Sequence, residues 1–192
     1  MSDTLSIACF DIETSGLNAD FAIVLCAVVK ELGRREKVWR FDDYAAFKQH
    51  RRYDDAEIVR DIITELERHF VLVAHNGVKF DRPFLNTRAL CGGGAPVILN
   101  PRGKIIDPVQ LARKNLRLGY NSLERVLQHL RIGSKTTVTG DVWMKALLSS
   151  GTEQRKAMDA VVAHCINDTV QLERAMTPLK RFVPKIDEWG SR

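Results

Sequence analysis

Cysteine is scarce and unpatterned in this sequence: Cys9, Cys26, Cys91 and Cys165 are widely scattered, and no two form a Cys-x-x-Cys pair. That argues against a disulfide framework or a zinc site, both of which use closer, repeated spacings. Cys9 and Cys26 lie inside apolar runs, where a free thiol behaves as a small hydrophobe. Long apolar runs are missing as well. The longest, Phe21 to Val29, falls far short of the ~20 residues that a membrane-spanning helix needs. No basic segment followed by an apolar one opens the chain, so no secretory signal is read. The expectation is a soluble, cytoplasmic protein with no membrane attachment. No internal repeat, low-complexity tract or interdomain linker is present.

The chain has 192 residues, of which 45% are apolar and 28% charged. A domain of that size buries roughly 70% of the surface its unfolded chain exposes, so no cross-link is required to hold a core. Residues 1–183 are expected to form one domain, and 184–192 a loosely attached tail. The net charge is +5 and the sequence pI about 9.1. This suits a polyanionic partner, because neutralising phosphates releases counterions, but charge alone decides nothing.

Residues 5–13 read as a buried strand ending in two carboxylates, followed by a turn over Thr14–Asp20 and a second apolar strand at 21–30. After a turn at Gly33, Lys37–Asp42 alternates weakly, completing an antiparallel meander of three strands. The period then changes. Ile58, Ile62, Leu66 and Phe70 recur every four residues, the mark of an amphipathic helix over 54–70, with Asp54 or Asp55 placed to cap it. A short buried strand follows at Val71–Ala74. The next helix spans 82–90, with Pro83 tolerated in its first turn, and Lys104–Asp107 supplies one more strand. The last third is helical: Leu123–Leu130 behind an Asn121-Ser122 cap, Val142–Leu148, and a long helix from 153 that Pro178 is expected to end. The order predicts an α/β fold with a mixed sheet.

Three separated segments carry acids where acids are awkward. In Phe10-Asp11-Ile12-Glu13, residues two apart on a strand point to one face, so Asp11 and Glu13 share it. At ~4 Å and an effective dielectric of about 20, two such charges repel by of order 4 kcal/mol, a cost that a divalent cation removes. Read alone, they could also splay into solvent as turn residues. In Val73–Asp81 a buried strand runs out into His75, Asn76 and a glycine turn. Asp81 then stands where a helix begins, a position that fits an ordinary cap equally well. On the long helix, His164 and Asp168 are four apart and share a face; a surface ion pair has the same spacing. Taken together, four acids and a histidine from a strand end, a helix start and a late helix match the assembly of a two-metal phosphoryl-transfer site. Carboxylate oxygens suit Mg²⁺ or Mn²⁺.

Phe-Asp-Ile-Glu-Thr-Ser-Gly-Leu, His-Asn-Gly-x-x-Phe-Asp and His-Cys-Ile-Asn-Asp resemble the three exonuclease motifs of the DEDD superfamily. Their order and spacing match over about residues 7–175. The runs Ile-Ile-Asp107-Pro-Val-Gln-Leu-Ala-Arg and Tyr120-Asn-Ser-Leu are similar too. The resemblance implies a ribonuclease H-like fold: an antiparallel three-strand meander plus parallel strands, flanked by helices. It implies a 3′→5′ exonuclease that releases nucleoside monophosphates from single-stranded DNA or RNA ends, with two Mg²⁺ or Mn²⁺ ions held by Asp11, Glu13, Asp81 and Asp168. His164 would be the general base, a task imidazole suits because it titrates near neutrality. Thr14, Gly16 and Leu17 would hold the terminal nucleotide, with His75, Asn76 and Phe80 on the substrate side. One departure is visible. The superfamily's branches carry tyrosine four residues before the last aspartate or histidine five before, whereas this chain has histidine at four. One residue is ~100° of helix rotation, so its identity follows one branch and its register the other.

Two other readings stay open at this level: a structure-selective endonuclease of the same fold, and a catalytically silent nucleic-acid-binding module. A homodimer and a place in a larger nucleic-acid-processing complex both stay open too. Basic clusters occur at Arg34-Arg35, Arg51-Arg52, Arg102–Lys104 and Arg113–Arg117. The last, with Tyr120 close by, is the first choice for contacting a strand, since charge beside an aromatic platform suits single-stranded nucleic acid.

Overall fold

The structure, a computed structural model, describes residues 6–92, 98–101, 103–134 and 138–183. The expected tail at 184–192, Arg102 and part of the glycine run after Cys91 lie outside the described residues. Runs of buried apolar residues drive the first two strands. β1 (Ile7–Thr14), β2 (Val24–Glu31) and β3 (Lys37–Arg40) form the antiparallel meander. β4 (Val71–Val73) and β5 (Lys104–Ile106) add parallel to β1, giving one five-stranded sheet in the order β3-β2-β1-β4-β5. β2 is buried without a break from Val24 to Val29, and β1 from Ala8 to Phe10 and again at Ile12, as strands covered on both faces must be.

Helices cover the two faces. α1 (Ala45–Lys48) is a single turn; α2 (Ala56–Leu66) and α3 (Asp81–Cys91) pack against each other, and α2 also meets β2 and β3. On the other face lie α4 (Pro108–Asn115), α5 (Leu123–Leu130), α6 (Asp141–Leu148) and α7 (Gly151–Leu179). Of these, α7 runs along β1 and β2 and carries α4, α5 and α6 against it. Residue alternation in β1 therefore sends Phe10 and Ile12 to one side, and Cys9, Asp11 and Glu13 to the side of α7. Among the described residues, no helix is long and apolar enough to cross a membrane.

Several elements differ from those expected: the helix read over 54–70 is confined to Ala56–Leu66, the third strand ends at Arg40 rather than Asp42, and α4 was not expected. The long helix does not stop at Pro178 but runs to Leu179. Proline forfeits its own N–H there and crowds the preceding turn, but Leu179, buried with Ala112 and Val126, holds the last turn. Asp55 makes no capping bond to α2; it is engaged elsewhere, as described below. α4 follows directly on β5, where Asp107 accepts the N–H of Val109 at 2.9 Å and Pro108 occupies the first helical position. The Ser122 cap of α5 is present, accepting the N–H of Arg125 at 3.3 Å.

Candidate active site

β1 delivers its acids at the C-terminal end of the central strand. Asp11 and Glu13 lie opposite Val28 and Cys26 of β2, and the register slips between Glu13 and Thr14. Such a bulge bends a strand end and re-aims its side chains. α7 crosses the same face. It brings His164 Nε2 to 3.8 Å from both Glu13 Oε1 and Asp168 Oδ2. One ligand atom each from Glu13, His164 and Asp168 fall within 4.8 Å of one another, and the same is true of Asp11, Glu13 and Cys165. Glu13 belongs to both groups.

The thiol of Cys165 lies 3.6 Å from Asp11 Oδ2 and 3.4 Å from the Asp11 carbonyl. Burial, the neighbouring Cys26 thiol and the charges of Asp11 and Glu13 all push Cys165 well above the usual thiol range. Held as a thiol, it donates to Asp11 and steadies it. The remaining donors are carboxylate oxygens and one imidazole, a set that fits Mg²⁺ or Mn²⁺. The shift of His164 by one residue relative to a histidine five before the aspartate does not carry it off the site. At four residues it shares a helix face with Asp168, and that face is turned to Glu13.

Asp81 stands apart from these two groups. It is the first residue of α3 and is only 3% exposed. Burial, followed by the charges of Asp107 and Glu13, pushes its carboxyl up to about 7, against the lowering effect of backbone N–H groups of Asp81 and Ile12. The turn before it is tightly specified. Asn76 adopts φ 68°, and a Cβ on Gly77 would lie 2.3 Å from that of Ala74. Only glycine fits there. Asp107 Oδ1 accepts the Asn76 N–H at 3.0 Å, tying this turn to the end of β5.

The expected substrate-side residues lie around the same edge. Thr14 Oγ1 donates to the carbonyl of Gly16 at 2.7 Å, closing the turn after β1. Leu17 projects from it 81% exposed. On one side of Leu17 a cleft of about 290 Å³ is walled by Phe80, Pro83 and Phe84; on the other, one of about 260 Å³ is walled by Phe21, Tyr53 and Met144. Phe80 stacks at 5.5 Å on Phe84. His75 and Asn76 are half-buried on the turn leaving β4. Tyr120, 75% exposed, borders a further cleft of about 440 Å³ with Arg125, Gln128 and His129, which Arg113–Arg117 do not line.

Sequence reasoning missed Trp143. Its Nε1 donates to Glu13 Oε2 at 2.8 Å, and its ring meets that of His164 edge-on at 5.8 Å. A lone tryptophan in a short helix carries no signal that separates this role from core packing. Asp107 was read only as the end of a strand within a family-like run; its cap of α4 and its bond to Asn76, which spans 31 residues, were both missed.

A family model for the ribonuclease H superfamily matches residues 8–180. The chain belongs to the ribonuclease H superfamily. This is the fold group that the three acidic motifs pointed to, and the mixed sheet with its flanking helices agrees with it. A family B DNA polymerase from the hyperthermophilic archaeon Pyrobaculum calidifontis is similar in structure, with a TM-score of 0.67, 18% sequence identity and 91% of this chain covered. The match spans 25% of the polymerase chain, and at that identity it is a likeness of fold. Curated protein sequences gave no match. Membership in the ribonuclease H superfamily supports nuclease activity, and with it a nucleic-acid substrate and use of divalent metal.

Proposed function

We propose that this ribonuclease H-superfamily protein is a 3′→5′ exonuclease acting on single-stranded DNA or RNA ends. The observation that carries the reading is the convergence of Glu13, His164 and Asp168 within 4.8 Å beside Asp11, at the end of a central strand. Asp11, Glu13, Asp81 and Asp168 would hold two Mg²⁺ or Mn²⁺ ions. Bound there, the cations would lower the pKa of water and stabilise charge on the leaving oxygen. The chain's own groups do the rest. His164 Nε2, facing Glu13 and Asp168, takes the proton of the attacking water. Trp143 holds one oxygen of Glu13 so that the other stays turned toward His164. Leu17, exposed between two clefts, separates bases at the strand end, and Thr14 and Gly16 keep its turn closed. His75, Asn76 and Phe80 line the approach from the side of α3.

The exonuclease reading is favoured over internal cleavage by that exposed leucine, since a wedge against a terminal base serves an enzyme that engages an end. The test follows 5′-labelled single-stranded DNA and RNA with Mg²⁺, Mn²⁺ or EDTA. A metal-dependent ladder shortening from the 3′ end is expected. Asp11→Ala should lose roughly 10³-fold or more, since correctly held metal contributes several kcal/mol to the barrier. Internal cuts would replace the proposal with an endonuclease. Binding without cleavage would replace it with a silent nucleic-acid-binding module.

A further inference from the structure

The carboxylates of the candidate site sit on β1, α3 and α7, but the walls of the two clefts beside Leu17 include irregular segments. A buried ion pair outside the acidic cluster holds them. The Asp55 side chain is 1% exposed and that of Arg88 11%. Asp55 Oδ2 accepts the N–H of Val24, the first residue of β2, at 2.9 Å. Arg88 Nε lies 3.1 Å from both Asp55 oxygens, and its Nη2 reaches Oδ1 at 2.7 Å. The other donors go to backbone: Nη1 to the carbonyl of Ala19 at 3.1 Å, and Nη2 to that of Tyr53 at 3.2 Å.

One guanidinium therefore joins three pieces of chain. Ala19 lies in the segment after Leu17 and lines one cleft together with Phe80 and Phe84; Tyr53 lines the other. Arg88 itself is on α3, seven residues after Asp81, close to two full helical turns and so on the same face. A pair kept only for stability could be replaced by apolar side chains of similar volume at little loss. Two backbone carbonyls reached at once from a carboxylate-locked fork need the planar geometry of arginine, which lysine lacks.

We propose that Arg88, oriented by Asp55, is a positioning residue that fixes the Asn18–Asp20 turn and Tyr53 against α3, and thereby sets the width of the clefts that grip the strand end. This rests on the reading of the site as one that engages single-strand ends. Arg88 bonds to Asp55, Ala19 and Tyr53 and to none of the candidate metal ligands, so its loss acts on substrate grip and leaves the acidic cluster as it is.

The test compares wild type with Arg88→Lys, which keeps a cation beside Asp55, and Arg88→Met. Amide hydrogen exchange over residues 16–24 is measured on the protein alone. KM, kcat and Mn²⁺ affinity are measured with a 5′-labelled single strand. Faster exchange confined to that segment is expected, together with a KM raised roughly tenfold to a hundredfold, as misplacement of a binding wall implies. Unchanged kcat and Mn²⁺ affinity complete the expectation. Exchange and KM both unchanged in a folded variant would overturn it, as would kcat and Mn²⁺ affinity falling in step with KM. Should both Arg88 variants fold poorly, Asp55→Asn, which keeps the acceptor for Val24, must show the same KM effect in weaker form. If wild type degrades no strand, the reading of the site falls, while the exchange comparison still decides whether Arg88 holds the segment.

Discussion

The indole Nε1 of Trp143 donates a 2.8 Å hydrogen bond to Oε2 of Glu13, across 130 residues of sequence. Glu13 is the carboxylate shared by both candidate ligand groups, so its orientation matters more than that of any other acid. A hydrogen bond to a charged group contributes about 1.5–3 kcal/mol, and groups that orient a ligand change metal affinity or activity by about 10–100-fold. Trp143→Phe keeps the ring and removes only the donor. Mn²⁺ affinity or kcat is expected to fall by about tenfold or more, with the thermal midpoint nearly unchanged. Titration of Mn²⁺ by electron paramagnetic resonance and steady-state kinetics check this.

Asp81 makes stability depend on pH and on metal. Its carboxyl is raised to about 7 in the folded chain, chiefly by burial, against an ordinary value near 3.9 unfolded. Below pH ~4 it is protonated in both states and has no effect on the balance. As pH rises toward 7 the unfolded chain ionises more readily, so stability falls, by up to ~4 kcal/mol at 1.36 kcal/mol per unit. Thermal melts in EDTA should decline over that window more steeply for wild type than for Asp81→Asn. Mn²⁺ should restore wild type at pH 8 and do much less for the variant, since binding requires the ionised carboxylate.

His164 is placed to take a proton, and its loss should be separable from loss of metal. Replacing a general base costs about 10²–10⁴-fold in rate. His164→Gln is expected to lower kcat within that range while Mn²⁺ affinity falls far less. The acidic limb of the pH–rate profile should flatten. A variant in which rate and metal affinity collapse together would assign His164 to holding metal instead.

Asp55 offers a test of stability. Removing one partner of a buried pair leaves an uncompensated charge, at a cost of about 3–5 kcal/mol. Asp55→Ala strands the Arg88 guanidinium and the Val24 N–H, and urea unfolding should show a loss of that size. A loss under 1 kcal/mol would mean that water reaches the guanidinium.

Apolar runs located the strands of the meander, and a period of about four located the helix read over 54–70, which forms at Ala56–Leu66, because such patterns are local to each element. α4 escaped because its eight residues are short and basic, and its cap depends on one aspartate. α1 escaped because four residues carry no period. The end of α7 was misjudged because the burial of Leu179 against Ala112 and Val126 is a long-range contact, and it outweighs the local effect of Pro178.

The sequence by itself determined the class of fold and which acids to watch. A two-residue spacing sends Asp11 and Glu13 to one face, and a four-residue spacing does the same for His164 and Asp168. Those relationships are properties of a strand and a helix, fixed before either packs. Only the tertiary structure decided that the two faces meet at Glu13, that Trp143 secures it, and that Asp107 and Arg88 brace the turns around it. Such contacts join residues 31 to 151 positions apart. They depend on how α7 lies across β1 with α6 packed on it, and how α3 packs against α2, which no local period records.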